Sequence, residues 1–575
     1  MEKTPIEVIG AMLAPGAKYE VTQHNISGIE QAVFANIPNN MKGLYEEGLA
    51  FADEVFLVYE SDRLTYKETH LRALQVAHVL AENYGIVKGD RVALASRNYP
   101  EWVISYMAVT MMGAVIVPMN SLWLGKELEF GLEDSGAKVL FADQQRIDSV
   151  ASKLKDLSID AVSMRYSGAH PEILENRITD MDTLMEGWQT AKPIDCDVLP
   201  EDWATMLYTS GTTGNPKGVM ATHRNVLSQV YSISFGLKAI AIMSGAKNTD
   251  PTAKLSSSQS AMLLPLPLFH VTGCNVQFLP SFLTGRKLVM MYKWDAGKAL
   301  ELIEREKINA MTGVPTMGQD LIEHPDFSKR DISSLKELSS GGAPKPPEQV
   351  RNMAKKAPGL RPGVGYGLTE VCGAAATMSG NDYLKYPESC GRAIPPLTSI
   401  KVMGEKGEDM PFGEWGEVCI KGAMVMTGYW NRPDATAEVM TEDGWFKTGD
   451  IGYINEEGFL FLVDRAKDLV IRGGENIGCG EVEGAIAMHD AVMEVAVYSL
   501  PDKRLGEKVA ATVMLKPQQT LSEDELKGFL KDKLAAFKLP EHIWFQTEPL
   551  ERGATEKIYK KGIREKSIER LAESA

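Results

Sequence analysis

The 575-residue sequence predicts an α/β fold in two parts: a large N-terminal three-layer α/β domain over 1–464 that includes a β-rich subdomain, and a small C-terminal α+β domain over 465–575. Three observations carry this reading. Two stretches alternate short apolar runs with helical periodicity, a glycine-punctuated region follows them, and a charged interruption near Arg465 marks a change of texture. The first alternating stretch begins at Asp90 and reads strand 91–96, helix 99–112, strand 114–118, helix 126–134 and strand 138–142. That order builds βαβ units and a largely parallel sheet. The second stretch, from Ala261 to about Leu338, has strands over 262–266, 287–291 and 310–314 and a helix over 296–306. Strands that are apolar throughout suit a sheet covered on both faces. Between the stretches, 243–260 is rich in Ser, Lys, Thr and Asn and should be an exposed loop. The segments 413–428 and 445–464 break short apolar runs with glycine and form the β-rich subdomain. Beyond Arg465 come strands over 492–499 and 509–515 and one well-signalled helix. It opens on Ser522 and Glu525 as a capping box, sets Leu526, Phe529, Leu530 and Leu534 at 3,4 spacing, and stops before Pro540.

Composition excludes several classes of function. With 44% hydrophobic and 24% charged residues, the chain reads as a soluble globular protein able to bury a substantial core. Its 61 Lys and Arg against 77 Asp and Glu leave a net charge of −16, which argues against a nucleic-acid partner. The six cysteines are far apart and form no CxxC pair, a usage that fits a reducing cytoplasm. The first residues lack the basic and apolar regions of a signal peptide. The uncharged run 102–119 is about as long as a membrane span, but Ser105, Tyr106, Thr110, Gly113 and Pro118 interrupt it. It reads as a buried helix followed by a buried strand, so no transmembrane segment is expected. Assembly as a homodimer is left open.

The sharpest local feature is Tyr208-Thr209-Ser210-Gly211-Thr212-Thr213-Gly214-Asn215-Pro216-Lys217-Gly218, set between apolar pairs. Glycines allow close backbone approach, hydroxyls supply donors and Lys217 supplies charge, which together describe a cradle for a polyphosphate. It is not a Walker A loop, because no Gly-Lys-Ser/Thr occurs.

This loop resembles the phosphate-binding signature of the adenylate-forming superfamily, which includes AMP-forming acyl-CoA synthetases, and further matches follow in order. Pro267-Leu268-Phe269-His270-Val271-Thr272-Gly273 resembles its substrate gate, and Ser340-Gly341-Gly342-Ala343-Pro344 its adenine-side strand. Tyr366-Gly367-Leu368-Thr369-Glu370 resembles the motif that stacks adenine and holds magnesium, Thr448-Gly449-Asp450 the ribose-binding motif, and 463–483 the hinge and coenzyme A segment. Arg552-Gly553-Ala554-Thr555-Glu556-Lys557-Ile558 resembles the C-terminal lysine motif, although Glu556 stands where the family usually has glycine. A second departure is Val364, where many relatives carry an amide.

The resemblance implies an enzyme that joins a carboxylic acid to ATP as an acyl-adenylate and then transfers the acyl group to coenzyme A, with Mg²⁺ assisting. Within it, Thr209 to Thr213, Gly214, Lys217 and Thr369 would contact phosphate, Glu370 would hold Mg²⁺, and Gly341, Gly342, Ala343, Tyr366 and Gly367 would face adenine. Asp450 would accept both ribose hydroxyls with Arg465 assisting, and Lys557 would bridge carboxylate and α-phosphate where charge develops. His270 would gate the acid, Gly273 and Cys274 would line the acyl pocket, and Gly473 and Gly474 would leave room for the pantetheine arm. Lys467 would be the hinge of a mobile C-terminal domain. The acid is expected to be a medium- or long-chain fatty acid. An acyl-AMP ligase serving a carrier protein, an oxidative luciferase-like enzyme and a non-catalytic nucleotide-binding relative remain as alternatives.

Overall fold

A computed structural model describes residues 4–123, 125–167, 178–185, 194, 196–209, 216–243, 259–343, 345, 347–465, 469–472, 475–552 and 558–574. Ser210, Gly211, Thr212, Thr213, Gly214, Lys467, Gly473, Gly474 and Lys557 lie outside the described residues, as does most of the predicted loop 243–260.

The predicted alternation is realised in two large sheets. In the first, the strands Val115–Pro118, Arg91–Ala95, Val139–Asp143, Asp160–Met164 and Ile178–Asp180 lie side by side in parallel. Trp203–Thr209 joins this row beside Val115–Pro118 and turns back antiparallel into Lys217–Thr222. The second sheet has a parallel centre made of Arg361–Leu368, Glu337–Gly341, Ala310–Gly313, Ala261–Leu264, Lys287–Met290 and Val55–Tyr59, with antiparallel strands at both ends. One apolar core draws residues from both sheets, among them Leu94, Ile116, Leu57 and Leu288, together with the helices Tyr66–Tyr84 and Pro100–Met111. Pro100–Met111 shows why the uncharged run is not a span. It is buried on every face by these layers, Trp102 stacks on Tyr106 at 5.4 Å, and the following strand Val115–Pro118 is buried throughout. Among the described residues no helix is long and apolar enough to cross a membrane.

The glycine-punctuated region forms a four-stranded antiparallel sheet of Ser399–Met403, Gly416–Lys421, Phe446–Ile454 and Leu460–Arg465. Beyond it, Gly506–Leu515 pairs antiparallel with Val492–Asp502 and parallel with His542–Gln546. Ser522 caps the helix Glu523–Leu530 through the expected reciprocal box. The helix ends at Leu530, earlier than its apolar spacing suggests. Lys531, Asp532 and Lys533 are all exposed and form a turn, and Leu534, whose N–H donates to Leu530 O at 2.9 Å, still reaches the same core.

One buried titratable group opposes folding in acid. His223, at the start of the helix His223–Met243, has no exposed surface, and its Nδ1 accepts from the backbone N–H of Met41 at 3.1 Å. Burial lowers its pKa from 6.5 to about 4. The unfolded chain therefore binds the extra proton between these values, and stability falls as pH drops through that window. Lowering the pH from 7 to 5 should cost about 2 kcal/mol through this group. The difference in denaturation midpoint between the two pH values should shrink in His223→Gln.

Candidate active site

The site is assembled where the ends of strands from three of the N-terminal sheets meet. The hairpin formed by Trp203–Thr209 and Lys217–Thr222 sets Thr209 opposite Lys217, so these two residues flank the glycine-rich loop on either side. The segment 427–430 runs along the second strand of this hairpin: Thr427 N–H donates to Met220 O at 3.0 Å and Trp430 N–H to Gly218 O at 2.8 Å. This register places Tyr429 opposite Val219 and brings its ring beneath Lys217, whose Nζ lies 4.9 Å from the ring centroid. The Tyr429 hydroxyl donates to Glu370 Oε1 at 2.8 Å. Nothing in the local sequence marks Tyr429 as a site residue. Its role follows from a strand pairing between segments about two hundred residues apart.

Glu370 sits in a short 3₁₀ turn, Thr369–Val371, at the end of Arg361–Leu368. The turn depends on backbone proximity: a Cβ on Gly367 would fall 1.8 Å from the carbonyl oxygen of Gly373. Burial raises the Glu370 pKa, Tyr429 and Arg465 oppose this, and the charge on Asp450 adds to it. A buried carboxylate without a direct ion pair fits a hard divalent cation, so the residues present are compatible with Mg²⁺ at Glu370.

Tyr366, in the same strand, donates from its hydroxyl to Asp450 Oδ2 at 2.6 Å. Asp450, 5% exposed, also pairs through Oδ1 with Arg465 Nε at 3.1 Å, because the two residues face each other across adjacent antiparallel strands. Thr448 Oγ accepts from the Asp450 N–H at 3.0 Å. The residues predicted separately for adenine and ribose are thus linked to one another. Gly341 faces Gly365 in the neighbouring strand, where a Cβ would lie 2.9 Å from the Gly365 carbonyl oxygen, and Gly342 turns with φ +75°. Ala343 follows at the rim.

His270 lies behind this edge with its ring 4.5 Å from Phe269. The gate segment is held by a residue that the motif reading did not single out. Buried Asn98 donates from Nδ2 to Leu266 O and accepts from Leu268 N–H through Oδ1, both at 2.9 Å. The gate passes into a π-helical turn, Thr272–Phe278. A Cβ on Gly273 would lie 2.3 Å from Pro267 O, so its missing side chain serves the backbone crossing. Cys274 has no exposed surface, lies against Tyr106, and has its thiol pushed up to about 12 by burial. Both residues expected to line an acyl pocket are therefore in the closed wall behind the gate. The raised pKa leaves Cys274 a thiol, which suits a reaction that needs no cysteine nucleophile.

Residues 45–430 match the model of the AMP-binding enzyme family, and 481–557 match the AMP-binding enzyme C-terminal domain. The chain belongs to the AMP-binding enzyme family. A long-chain-fatty-acid–CoA ligase of Mycobacterium tuberculosis is 35% identical over 507 residues, covering 88% of this chain and 93% of its own length. A feruloyl-CoA synthase of an Amycolatopsis species is 34% identical over 503 residues, 87% of this chain and 93% of its own. Among solved structures, the o-succinylbenzoate coenzyme A synthetase of Bacillus subtilis with ATP and magnesium aligns with a TM-score of 0.75 and 29% identity, over 91% of this chain and 99% of that one. This AMP-binding enzyme is an AMP-forming acid–thiol ligase, and it works through an acyl-adenylate. ATP, Mg²⁺ and coenzyme A are the reactants and metal consistent with that membership.

Asp450 supplies a test of the nucleotide side. Asp450→Asn keeps the shape but removes the charge that binds Arg465 and would accept the ribose hydroxyls. The dissociation constant for ATP, measured by calorimetry, should rise at least about tenfold, the value of one charge-assisted hydrogen bond.

Proposed function

We propose that this ligase takes a medium- or long-chain fatty acid as its substrate. The observation that carries this is the chemistry of the wall behind the gate. Behind the gate, Tyr45, Tyr106, Cys274 and Cys372 belong to one buried cluster of apolar side chains that also holds Leu268, Phe278 and Phe282. Such a wall suits an uncharged acyl group and disfavours an amino acid. The two relatives described above, named for a long-chain fatty acid and for ferulate, act on acids whose acyl portions are uncharged.

In the first half-reaction a carboxylate oxygen attacks the α-phosphorus of ATP, forming the acyl-adenylate as the bond to pyrophosphate breaks. Glu370 would hold Mg²⁺, whose charge offsets that of the phosphates. Lys217, Thr369 and the glycine-rich loop 210–214 would orient the phosphates. Tyr366 would stack on adenine beside Gly341, Gly342 and Ala343, and Asp450 would fix the ribose. Lys557 would neutralise charge as it builds between the two anions. In the second half-reaction the thiol sulfur of coenzyme A attacks the acyl carbon, the thiol proton is lost and AMP leaves. We assign this exchange to rotation of 465–575 about Lys467 against 1–464, replacing Lys557 by the segment that carries Gly473 and Gly474. All six cysteines are free thiols, which accords with action in a reducing cytoplasm.

The deciding experiment follows pyrophosphate and AMP release with short, medium and long aliphatic acids, aryl acids and amino acids, each with and without coenzyme A. Coenzyme-A-dependent turnover should be greatest with a medium or long aliphatic acid. Preference for a hydroxycinnamate would replace the fatty-acid reading with an aryl one. Pyrophosphate release without coenzyme-A-dependent AMP release would point to delivery to a carrier protein.

Lys557→Ala should lower acyl-adenylate formation at least about a thousandfold while leaving thioester formation from supplied acyl-adenylate within about threefold. Equal loss of both half-reactions would remove the assigned role of Lys557.

A further inference from the structure

The turn that carries Glu370 is secured on two sides. On one side are the contacts already described to the Glu370 carboxylate, together with a hydrogen bond from Met426 N–H to the Glu370 carbonyl at 2.8 Å. On the other side the chain reverses through Cys372 at φ +55° and Gly373 at φ +141° before it starts the strand Gly373–Ser379. A non-glycine residue at positive φ is uncommon, and here Cys372 caps the 3₁₀ turn, its N–H donating to Thr369 O at 3.0 Å. The buried carbonyls of such a turn also need donors from elsewhere, because neither helix nor sheet supplies them all.

Two amides supply them. Asn275, in the π-helical turn, is 1% exposed and donates from Nδ2 to Cys372 O at 3.1 Å. Gln229, in the helix His223–Met243, is also 1% exposed and donates from Nε2 to Ala374 O at 3.0 Å. The two bonds bracket Gly373. The fit around that glycine is close: a Cβ there would meet Val276 Cγ2 at 3.0 Å and Gln229 Cγ at 3.3 Å. The helix and the π-helical turn therefore rest directly on the backbone that follows Glu370. A π-helical turn is rare and often marks a functional site. This one begins at the gate, where Cys274 N–H donates to His270 O at 2.9 Å, and it carries Asn275 to the far side of the Glu370 turn.

We propose that Asn275 and Gln229 are positioning residues for adenylation. They hold the reversal at Cys372 and Gly373 and so fix where the Glu370 carboxylate stands relative to the phosphates. This rests on the reading of Glu370 as the residue that holds Mg²⁺. It also makes the π-helical turn a physical link between the gate for the acid and the site for the metal.

The test uses the full-length enzyme with Asn275→Leu and, separately, Gln229→Met, each close in volume to the native residue but without a donor. Glu370→Gln is the reference. ATP–pyrophosphate exchange is followed as a function of Mg²⁺, Mn²⁺ binding is measured by electron paramagnetic resonance with α,β-methylene ATP, and thioester formation is measured from supplied acyl-adenylate and coenzyme A. In each folded variant, half-saturating Mg²⁺ should rise about tenfold with a matching loss of Mn²⁺ affinity, while KM for the acid and the rate from supplied acyl-adenylate change less than about twofold. A double variant of Asn275→Leu with Glu370→Gln should be no worse in metal dependence than Glu370→Gln alone.

Loss of both half-reactions to the same extent, or an unchanged metal dependence while Glu370→Gln shifts it, overturns the proposal and leaves the reading of Glu370 standing. An unchanged metal dependence in Glu370→Gln overturns that reading and the proposal with it. The two single variants act on different helical elements, so misfolding of one leaves the other to decide the outcome.

Discussion

Asp450 is a buried carboxylate, and the shape of the cleft depends on satisfying it. Taking a charge out of water costs several kcal/mol unless partners replace the lost hydration. Tyr366 brings one partner from the nine-stranded sheet, and Arg465 brings another from the antiparallel sheet. The bonds that keep the charge buried therefore also join two sheets with separate strand orders. Any shift of the antiparallel sheet relative to Tyr366 would leave Asp450 short of a donor. Alignment at the cleft is thus enforced by the cost of an unpaired charge, more strongly than apolar packing could enforce it.

The second carboxylate, Glu370, is treated differently. Its carboxylate is hydrogen-bonded by a backbone N–H and by the Tyr429 hydroxyl, Arg465 favours its ionised form from further away, and burial and the charge on Asp450 oppose it. Asp450 has a direct ion pair with Arg465, whereas the hydrogen bonds to Glu370 come from neutral groups. This asymmetry accords with the roles proposed above, in which Asp450 would fix the ribose and Glu370 would hold a cation.

Much of this was legible in the sequence because the signals are local. The six strands predicted in the alternating runs fall within a residue or two of their observed bounds, and the helix Ala296–Glu306 falls on its predicted bounds because its apolar face and its Asp295 cap are both sequence features. The motif residues Tyr366, Glu370, Asp450 and Arg465 do converge. What was not legible depends on register between distant segments. Tyr429 reaches Glu370 only because Gly428–Tyr429 pairs with Lys217–Thr222. Asn98, Gln229 and Asn275 act by donating to or accepting from backbone groups, and backbone acceptors leave no trace in residue type. Cys274, expected to line the acyl pocket, is held by the π-helical turn with no exposed surface, and its depth is not visible in the motif itself. The early end of Glu523–Leu530 shows that apolar spacing alone does not sustain a helix once three solvated residues intervene.

The pair of bonds from Asn98 has a kinetic meaning. By donating to Leu266 and accepting from Leu268, its side chain behaves as a short surrogate strand alongside the gate backbone. His270 is fastened by its own N–H to Pro267 and by its carbonyl to Cys274. These bonds fix the backbone on both sides of His270, so in the gating role proposed for it the movement would be a rotation of its side chain. Rotamer changes at accessible positions take picoseconds to nanoseconds, far faster than a turnover. Such a movement would be complete long before a turnover and would not itself set the pace of the reaction.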